Sequence, residues 1–381
     1  MSNQANIDFP ILSRLDFFNH AGVAPISAAG GKALRDYADQ AERQAYVDSG
    51  WYQHIDEVRR LAAELIRAPN GREIAFVPNT TSGLAMVANG LEFHSGDQIV
   101  ITSVEYPANR YPWEDLVKRF GVELVEVAPR GDGRIDVEDV IEAMTDHTRV
   151  VSVSHVQYGS GFRIELRPLA DMVHRVGGYL CVDAIQSAGV VPVDVSRDGA
   201  DIDFLSADGH KWMLGPEGCG LFYCRKELVE LLHPTVVGWM NMVNANDYGN
   251  YCFELLPDAR RFEPGSHNIP GIMSLGASLR MLLDVGIEQV WSRVESLNAQ
   301  LCEGCTRRGY QVYSPRDHER ERSGIVCFTH RDPSRHRAIM KDLERRGIII
   351  ALREGRLRVS AHFYNTADQI DRLLASLPVC G

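Results

Sequence analysis

No run in this 381-residue chain is apolar for the about 18 residues that a membrane-spanning helix requires. A basic block is missing too: 40 Lys and Arg face 51 Asp and Glu, and the net charge of -11 is spread along the chain. Nucleic acid and anionic membrane surfaces are therefore not expected partners. Met1 to Asp8 has neither the basic start nor the apolar core of a secretion signal, which makes the cytoplasm the expected compartment. Without such a signal the eight cysteines (Cys181, Cys219, Cys224, Cys252, Cys302, Cys305, Cys327 and Cys380) read as buried thiols, not as a disulfide framework. Cys302 and Cys305 form one CxxC, but no second CxxC or HxxxH accompanies it and its surroundings look helical, so no metal site is expected. Internal repeats and low-complexity stretches are absent as well.

What is present is an alternation of apolar strand-like runs with amphipathic helical stretches, the pattern of a doubly wound α/β domain. The expected strands are Ile74 to Pro78, Gln98 to Thr102, Val122 to Val127, Thr148 to Ser154, Tyr179 to Asp183, Phe204 to Ala207 and Gly220 to Tyr223. Helices are expected at His54 to Ile66, Thr81 to Gly90, Trp113 to Phe120, Asp136 to Met144 and Pro168 to Val176. The segment Phe262 to Pro270 is rich in Gly and Pro and marks a boundary. Beyond it an apolar helix, Met273 to Val285, leads to a smaller α+β unit. That unit would hold helices Val290 to Arg308, Ser334 to Arg346 and Asp368 to Leu377, with strands near Gly324 to Thr329, Ile348 to Leu352 and Arg356 to Ser360. The expected division is a large domain at 26–265 and a small one at 266–381, with segment 1–25 packing on the small domain.

Two segments carry the chemistry. Ser206-Ala207-Asp208-Gly209-His210-Lys211 sets one lysine in a glycine-flanked turn, and Val182-Asp183-Ala184-Ile185-Gln186 ends an apolar strand with a carboxylate. Pyridoxal phosphate needs such a pair: an amine to hold its aldehyde and a carboxylate to keep its ring nitrogen protonated. Asn79-Thr80-Thr81-Ser82-Gly83 follows a strand and opens a helix, so N–H groups, hydroxyls and the helix dipole converge on one anion, a cup for phosphate. Ligands of open α/β sheets bind beyond the carboxyl ends of the strands, where Asp183, His155 and the Lys211 turn all fall. Singly, each feature has an ordinary reading: a solvated lysine, a helix-capping aspartate, a core histidine, a capping Ser/Thr run. Their order and shared placement at strand ends favour a cofactor site.

The ordered set Phe18-Asn19-His20-Ala21-Gly22, Asn79 to Gly83, Glu105-Tyr106-Pro107-Ala108-Asn109, Ser154-His155-Val156, Val182 to Gln186, Gly209-His210-Lys211, Arg261 to Ser266 and Leu357-Arg358-Val359-Ser360-Ala361-His362-Phe363-Tyr364-Asn365-Thr366 resembles the class V aminotransferase superfamily. The resemblance covers nearly the whole chain. It implies the fold-type I pyridoxal phosphate architecture, a large domain around a mostly parallel seven-stranded sheet plus a smaller α+β C-terminal domain. Homodimers with shared sites are the rule in that superfamily, which includes cysteine desulfurases, selenocysteine lyases and isopenicillin N epimerase-like proteins.

Carried over residue by residue, the resemblance makes Lys211 the cofactor-bearing lysine and Asp183 the partner of the ring nitrogen. Gln186 becomes a donor to the ring's phenolic oxygen, and Tyr106 the aromatic face stacked on the ring. Thr80, Thr81, Ser82 and His210 are implied on the phosphate, with Ser266 reaching it from the neighbouring subunit and His155 near the cofactor. Arg358 is implied to bind a substrate carboxylate through its guanidinium fork, with Asn19 beside it. Asp208 and Tyr158 depart from the family pattern, which leaves their roles open.

A small α-amino acid is thus the expected substrate, converted by transamination or β-elimination. A cysteine desulfurase or selenocysteine lyase is the second reading, and a non-catalytic binding protein of the same fold is a third. Desulfurases carry sulfur on an exposed cysteine, yet the connection Ile350 to Arg358 is short and contains none. Cys327 is the nearest candidate, and Gly324 to Thr329 around it reads as a buried strand. Substrate choice is expected to depend on loops such as Val236 to Tyr251.

Overall fold

The computed structural model describes residues 8–380. Its strands are β1 (Asp16–Phe17), β2 (Ile74–Val77), β3 (Gln98–Thr102), β4 (Glu123–Val127), β5 (Thr148–Ser154), β6 (Tyr179–Asp183), β7 (Phe204–Asp208) and β8 (Gly220–Cys224). The last part of the chain adds β9 (Gln311–Val312), β10 (Val326–Thr329), β11 (Ile348–Ile349), β12 (Ala351–Arg353) and β13 (Arg356–Val359).

β2 to β8 form one seven-stranded sheet in the order β2-β8-β7-β6-β5-β3-β4. All neighbours are parallel except β8, which runs antiparallel to both β2 and β7. Strands covered on both faces read as continuous apolar runs, and this sheet shows why. Val100, Val151, Val182 and Leu205 pack into the core on one face, whereas Ile99, Val150, Cys181 and Phe204 pack into the core on the other. Edge strand β4 is only partly covered. The helix Thr80–Gly90 lies close on β7 because Gly83 has no side chain: a Cβ there would come within 2.8 Å of Ser206 Cβ.

β5 and β6 end side by side, with Ser154 opposite Asp183, and β7, whose Ser206 stands opposite Asp183, runs two residues further to Asp208. This common edge carries the polar residues. The C-terminal part builds a four-stranded antiparallel sheet, β12-β13-β10-β9, with a separate apolar cluster that includes Phe18 from the N-terminal segment. β1 pairs parallel with β11, and Asn19 bridges to Ser360 one step further on.

Several elements differ from the sequence expectation, the short strands β1 and β9 among them. The run Ile348 to Leu352 splits at Ile350, since its first half pairs with β1 and its second with β13. The apolar helix begins at Ile269, where Asn268 caps it by accepting from Gly271 N–H and Pro270 occupies the first turn. A helix at Ala28–Gln44 had no apolar stripe to announce it: Gly30 is its one fully buried residue, and it leans on the helix Ile269–Val285. Among the described residues no single helix is long and apolar enough to cross a membrane.

Candidate active site

Asp183 closes β6 with its carboxylate buried, and Oδ1 accepts from Ile185 N–H at 2.9 Å. Burial pushes its acidity toward the neutral form and the nearby Glu105 charge adds to this, while Lys211 opposes both. Past the end of β7 the chain turns at Gly209, whose Cα lies so near Cys219 that a Cβ would come within 2.5 Å of that carbonyl oxygen. The turn directs Lys211 into a cavity of about 490 Å³, where its Nζ sits 5.7 Å from the centre of the Tyr106 ring. Burial makes the amine less basic than a free lysine, the Asp183 carboxylate opposes that, and the Arg358 and Arg353 charges reinforce it. A neutral, nucleophilic amine is thus accessible at lower pH than in water.

One wall of the cavity is the start of the helix Thr80–Gly90. Asn79 caps it, accepting from Ser82 N–H at 2.9 Å and from the Ser82 hydroxyl at 3.1 Å. Thr80 and Thr81 line the cavity, and Thr80 Oγ1 accepts from Asp208 N–H at 2.9 Å. The Asp208 carboxylate is buried, with Oδ2 2.9 Å from His210 Nδ1, so the acid that departs from the family pattern is set against the histidine. Gln186 is fixed from two sides: its Nε2 donates to Ala21 O at 3.1 Å and its Oε1 accepts from Trp212 Nε1 at 2.9 Å. One N–H of its amide is left for a ligand.

Tyr106 is half exposed at the mouth and meets the Tyr158 ring edge-on at 5.2 Å. It is anchored by its neighbour Glu105, a buried carboxylate that accepts from Thr102 Oγ1 at 2.7 Å, Ser154 N–H at 3.0 Å and Gln157 Nε2 at 3.0 Å. Glu105 belongs to the motif read from the sequence but gains no role from it, because nothing local shows that one acid ties the ends of β3 and β5 together. Arg358 on β13 is 1 % exposed; Nη1 donates to Tyr158 O at 3.1 Å and Nη2 to Asn19 Oδ1 at 3.4 Å, while Nε has no partner. Burial lowers its pKa to about 10, which still leaves it cationic at neutral pH.

Lys211, Asp183, Gln186, His210, Thr80, Thr81, Tyr106, Arg358 and Asn19 therefore surround one cavity. Ser82, His155 and Ser266 do not line it. The Ser82 hydroxyl is taken by the cap, and Ser266 is exposed away from its own chain's cavity. His155 gives its backbone N–H to Asp183 O, but its ring is buried in a separate cleft with Arg163. Burial, helped by the Arg163 charge, pushes that ring down to about 3. The Cys302–Cys305 pair lies on the helix Ile287–Arg307, and among the described residues no three His, Cys, Asp or Glu side chains gather in a way that could hold a metal.

The donor set fits pyridoxal phosphate: a buried amine, a buried carboxylate, a helix N-terminus and an aromatic face share one cavity, and the Arg358 Nε waits without a partner. Fold and site together define a fold-type I pyridoxal phosphate enzyme. The profile of the family described as Aminotransferase class-V matches residues 23–373, and the chain belongs to that family. It is 31% identical to a probable cysteine desulfurase of Pyrococcus abyssi over 97% of this chain and 95% of that protein. Among solved structures it is similar to an apo cysteine desulfurase from Thermococcus onnurineus NA1, with a TM-score of 0.87, 25% identity and coverage of 98% of this chain and 96% of that one. It is equally similar to the cystine C–S lyase C-DES bound to its product cysteine persulfide, with a TM-score of 0.87, 25% identity and coverage of 96% and 98%.

Proposed function

We propose that the protein acts on a small α-amino acid without passing any group through a thiol of its own, by β-elimination or transamination. One observation carries this: no cysteine is among the cavity-lining residues, and β12 and β13 are joined by the two residues Glu354 and Gly355 alone, with no room for a sulfur-carrying loop. Cys327 stands opposite Arg358 on β10, buried, with its thiol donating to Gly159 O at 3.4 Å. Burial pushes that thiol up to about 11, which disfavours the thiolate that a sulfur acceptor needs.

In this reading Lys211 holds the cofactor, Asp183 holds the proton on its ring nitrogen, and Tyr106 and Gln186 fix the ring plane. Thr80, Thr81, His210 and the helix start take its phosphate. Bound there, pyridoxal phosphate supplies an electron sink for the pair left at the substrate's Cα. The Lys211 amine would take the proton from that carbon and deliver it elsewhere, to the departing β-substituent in elimination or to the cofactor in transamination. Arg358 and Asn19 hold the α-carboxylate, which orients the Cα–H bond toward Lys211. Replacing Arg358 by Gln is expected to raise KM about 10- to 100-fold, the scale of a lost bond to a charged group, with a smaller change in kcat; steady-state kinetics on the first substrate found checks it.

A homodimer in the cytoplasm completes the proposal. Its support is a run of exposed aromatic residues, Trp239, Tyr248, Tyr251 and Phe253, beside an exposed Ser266 that a partner's cavity could receive. The unpaired state of all eight cysteines suits a reducing compartment.

The related desulfurase and C–S lyase make cysteine and cystine the first compounds to try. With either one, pyruvate or the pyridoxamine form of the cofactor should accumulate, and intact-protein mass should show no added sulfur. Alanine together with persulfide on a protein cysteine would establish the desulfurase reading instead.

A further inference from the structure

His155 and Arg163 stand in a cleft of about 290 Å³ that shares no lining residue with the cavity of Lys211. The backbone brings the two together, since Val156 bridges to Arg163 and Ile164 N–H donates to His155 O at 3.1 Å. Ile164, Leu166 and Val193, all buried, form an apolar wall beside them.

Arg163 is fixed in place without being neutralised. Its Nε donates to Arg320 O at 2.8 Å and its Nη2 to Glu319 O at 2.9 Å, and the guanidinium carbon lies 5.4 Å from the centre of the Trp291 ring. Each of these partners is uncharged. Among the described residues no carboxylate forms an ion pair with Arg163, and its Nη1 makes no hydrogen bond. The acids around the cleft are committed elsewhere. Asp194 Oδ1 accepts from the Ser196 hydroxyl at 2.6 Å while Oδ2 faces Arg67 at 3.6 Å, and Glu165 faces Arg320 at 3.6 Å. Arg167, also on the wall, is paired with Asp171 at 2.8 Å. Two further acids reach Arg163 only through their charge: Glu319 is exposed to solvent, and Glu295 is held by Arg316 and Arg322.

His155 supplies the second polar group. Its side chain is 8 % exposed, Nδ1 is enclosed with no partner, and Nε2 makes no hydrogen bond among the described residues. Buried polar atoms are nearly always paired, so an orphaned ring nitrogen beside an empty space favours a ligand that pairs with it. Burial and the Arg163 charge keep the imidazole neutral, which leaves it one N–H to donate. One uncompensated guanidinium fork, one neutral donor and an apolar wall therefore converge on one space. A single positive charge suits a monoanion.

We propose that this cleft is a second binding site, and that it takes a small carboxylate with a short apolar body, the carboxylate on Arg163 and His155 and the carbons against Ile164, Leu166 and Val193. Two sources could supply such a compound: the 2-oxo acid that elimination or transamination releases, and saturated short-chain acids. The site is independent of the reading of the first cavity, because none of its residues lines that cavity.

The test is ligand-detected NMR titration of the pyridoxal phosphate-loaded Arg358→Gln protein, in which the first cavity no longer competes for carboxylates, with pyruvate, propionate, propionamide and inorganic phosphate. Pyruvate or propionate should bind with a Kd of about 1 mM or below, and about 10-fold or more tighter than propionamide and phosphate. Adding Arg163→Gln should weaken that binding about 10-fold or more, the scale of a lost bond to a charged group. Ala200→Phe narrows the cleft while leaving the Arg163 bonds in place, so it should have the same effect and carries the test if the Arg163 variant does not fold. Pyruvate about 10-fold ahead of propionate identifies the reaction product as the occupant, and any smaller difference identifies short-chain acids in general. Binding of neither acid, propionamide or phosphate equal to or ahead of both, or binding that survives either folded variant, overturns the proposal.

Discussion

Replacing Lys211 by Ala is expected to cut turnover by at least about 10³-fold, the upper part of the range for loss of a positioned acid–base group, and to remove the covalent attachment of the cofactor. The expectation follows from where the amine sits. Lys211 is the one lysine on the cavity wall, flanked by Tyr106 on one side and within the field of Asp183 on the other. The remaining lysines, Lys32, Lys118, Lys226 and Lys341, belong to other parts of the molecule and do not line this cavity. Lys211→Ala also removes a buried cation beside a buried carboxylate, so the substituted apoprotein must hold Asp183 without its countercharge. Added methylamine should restore a fraction of the activity. Circular dichroism of the variant should match the parent, which separates lost chemistry from lost fold.

Asp183→Asn is expected to lower kcat by about 10²- to 10³-fold with little change in cofactor occupancy, on the scale of one electrostatic contact made to the reacting system. Burial disfavours the charged carboxylate, and Lys211 works against that. A protonated ring nitrogen placed against Asp183 gives the carboxylate a second countercharge and holds its own proton there. Asparagine keeps the shape and the acceptor oxygen but not the charge. The variant's bound cofactor should therefore lose the protonated-ring absorbance across the neutral range, and Asp183→Glu should recover part of kcat. An Asn variant with the parent's kcat and spectrum would detach Asp183 from the ring nitrogen.

The large sheet was readable because β3, β5, β6, β7 and β8 are covered on both faces, which sets adjacent apolar residues side by side in each. The helix Ala28–Gln44 was not, because its place depends on a helix more than two hundred residues away and its own surface is mostly polar. Likewise the change of partner at Ile350 is a property of two neighbouring strands, and no local pattern marks it. At the cavity, strand ends and turns brought forward Lys211 and Asp183, and motif resemblance brought forward Arg358 and Asn19. Position at a strand end does not say which way a side chain turns. His155 follows β5 yet faces Arg163 in another cleft, and the Ser82 hydroxyl is consumed by its own helix cap.

The most direct measurement is borohydride reduction of the fully loaded protein followed by proteolysis and mass mapping. The cofactor should be fixed to the peptide that contains Gly209-His210-Lys211-Trp212 and to no other. A reduced adduct on Lys32, Lys118, Lys226 or Lys341, or full loading with Lys211 unmodified, would contradict the account.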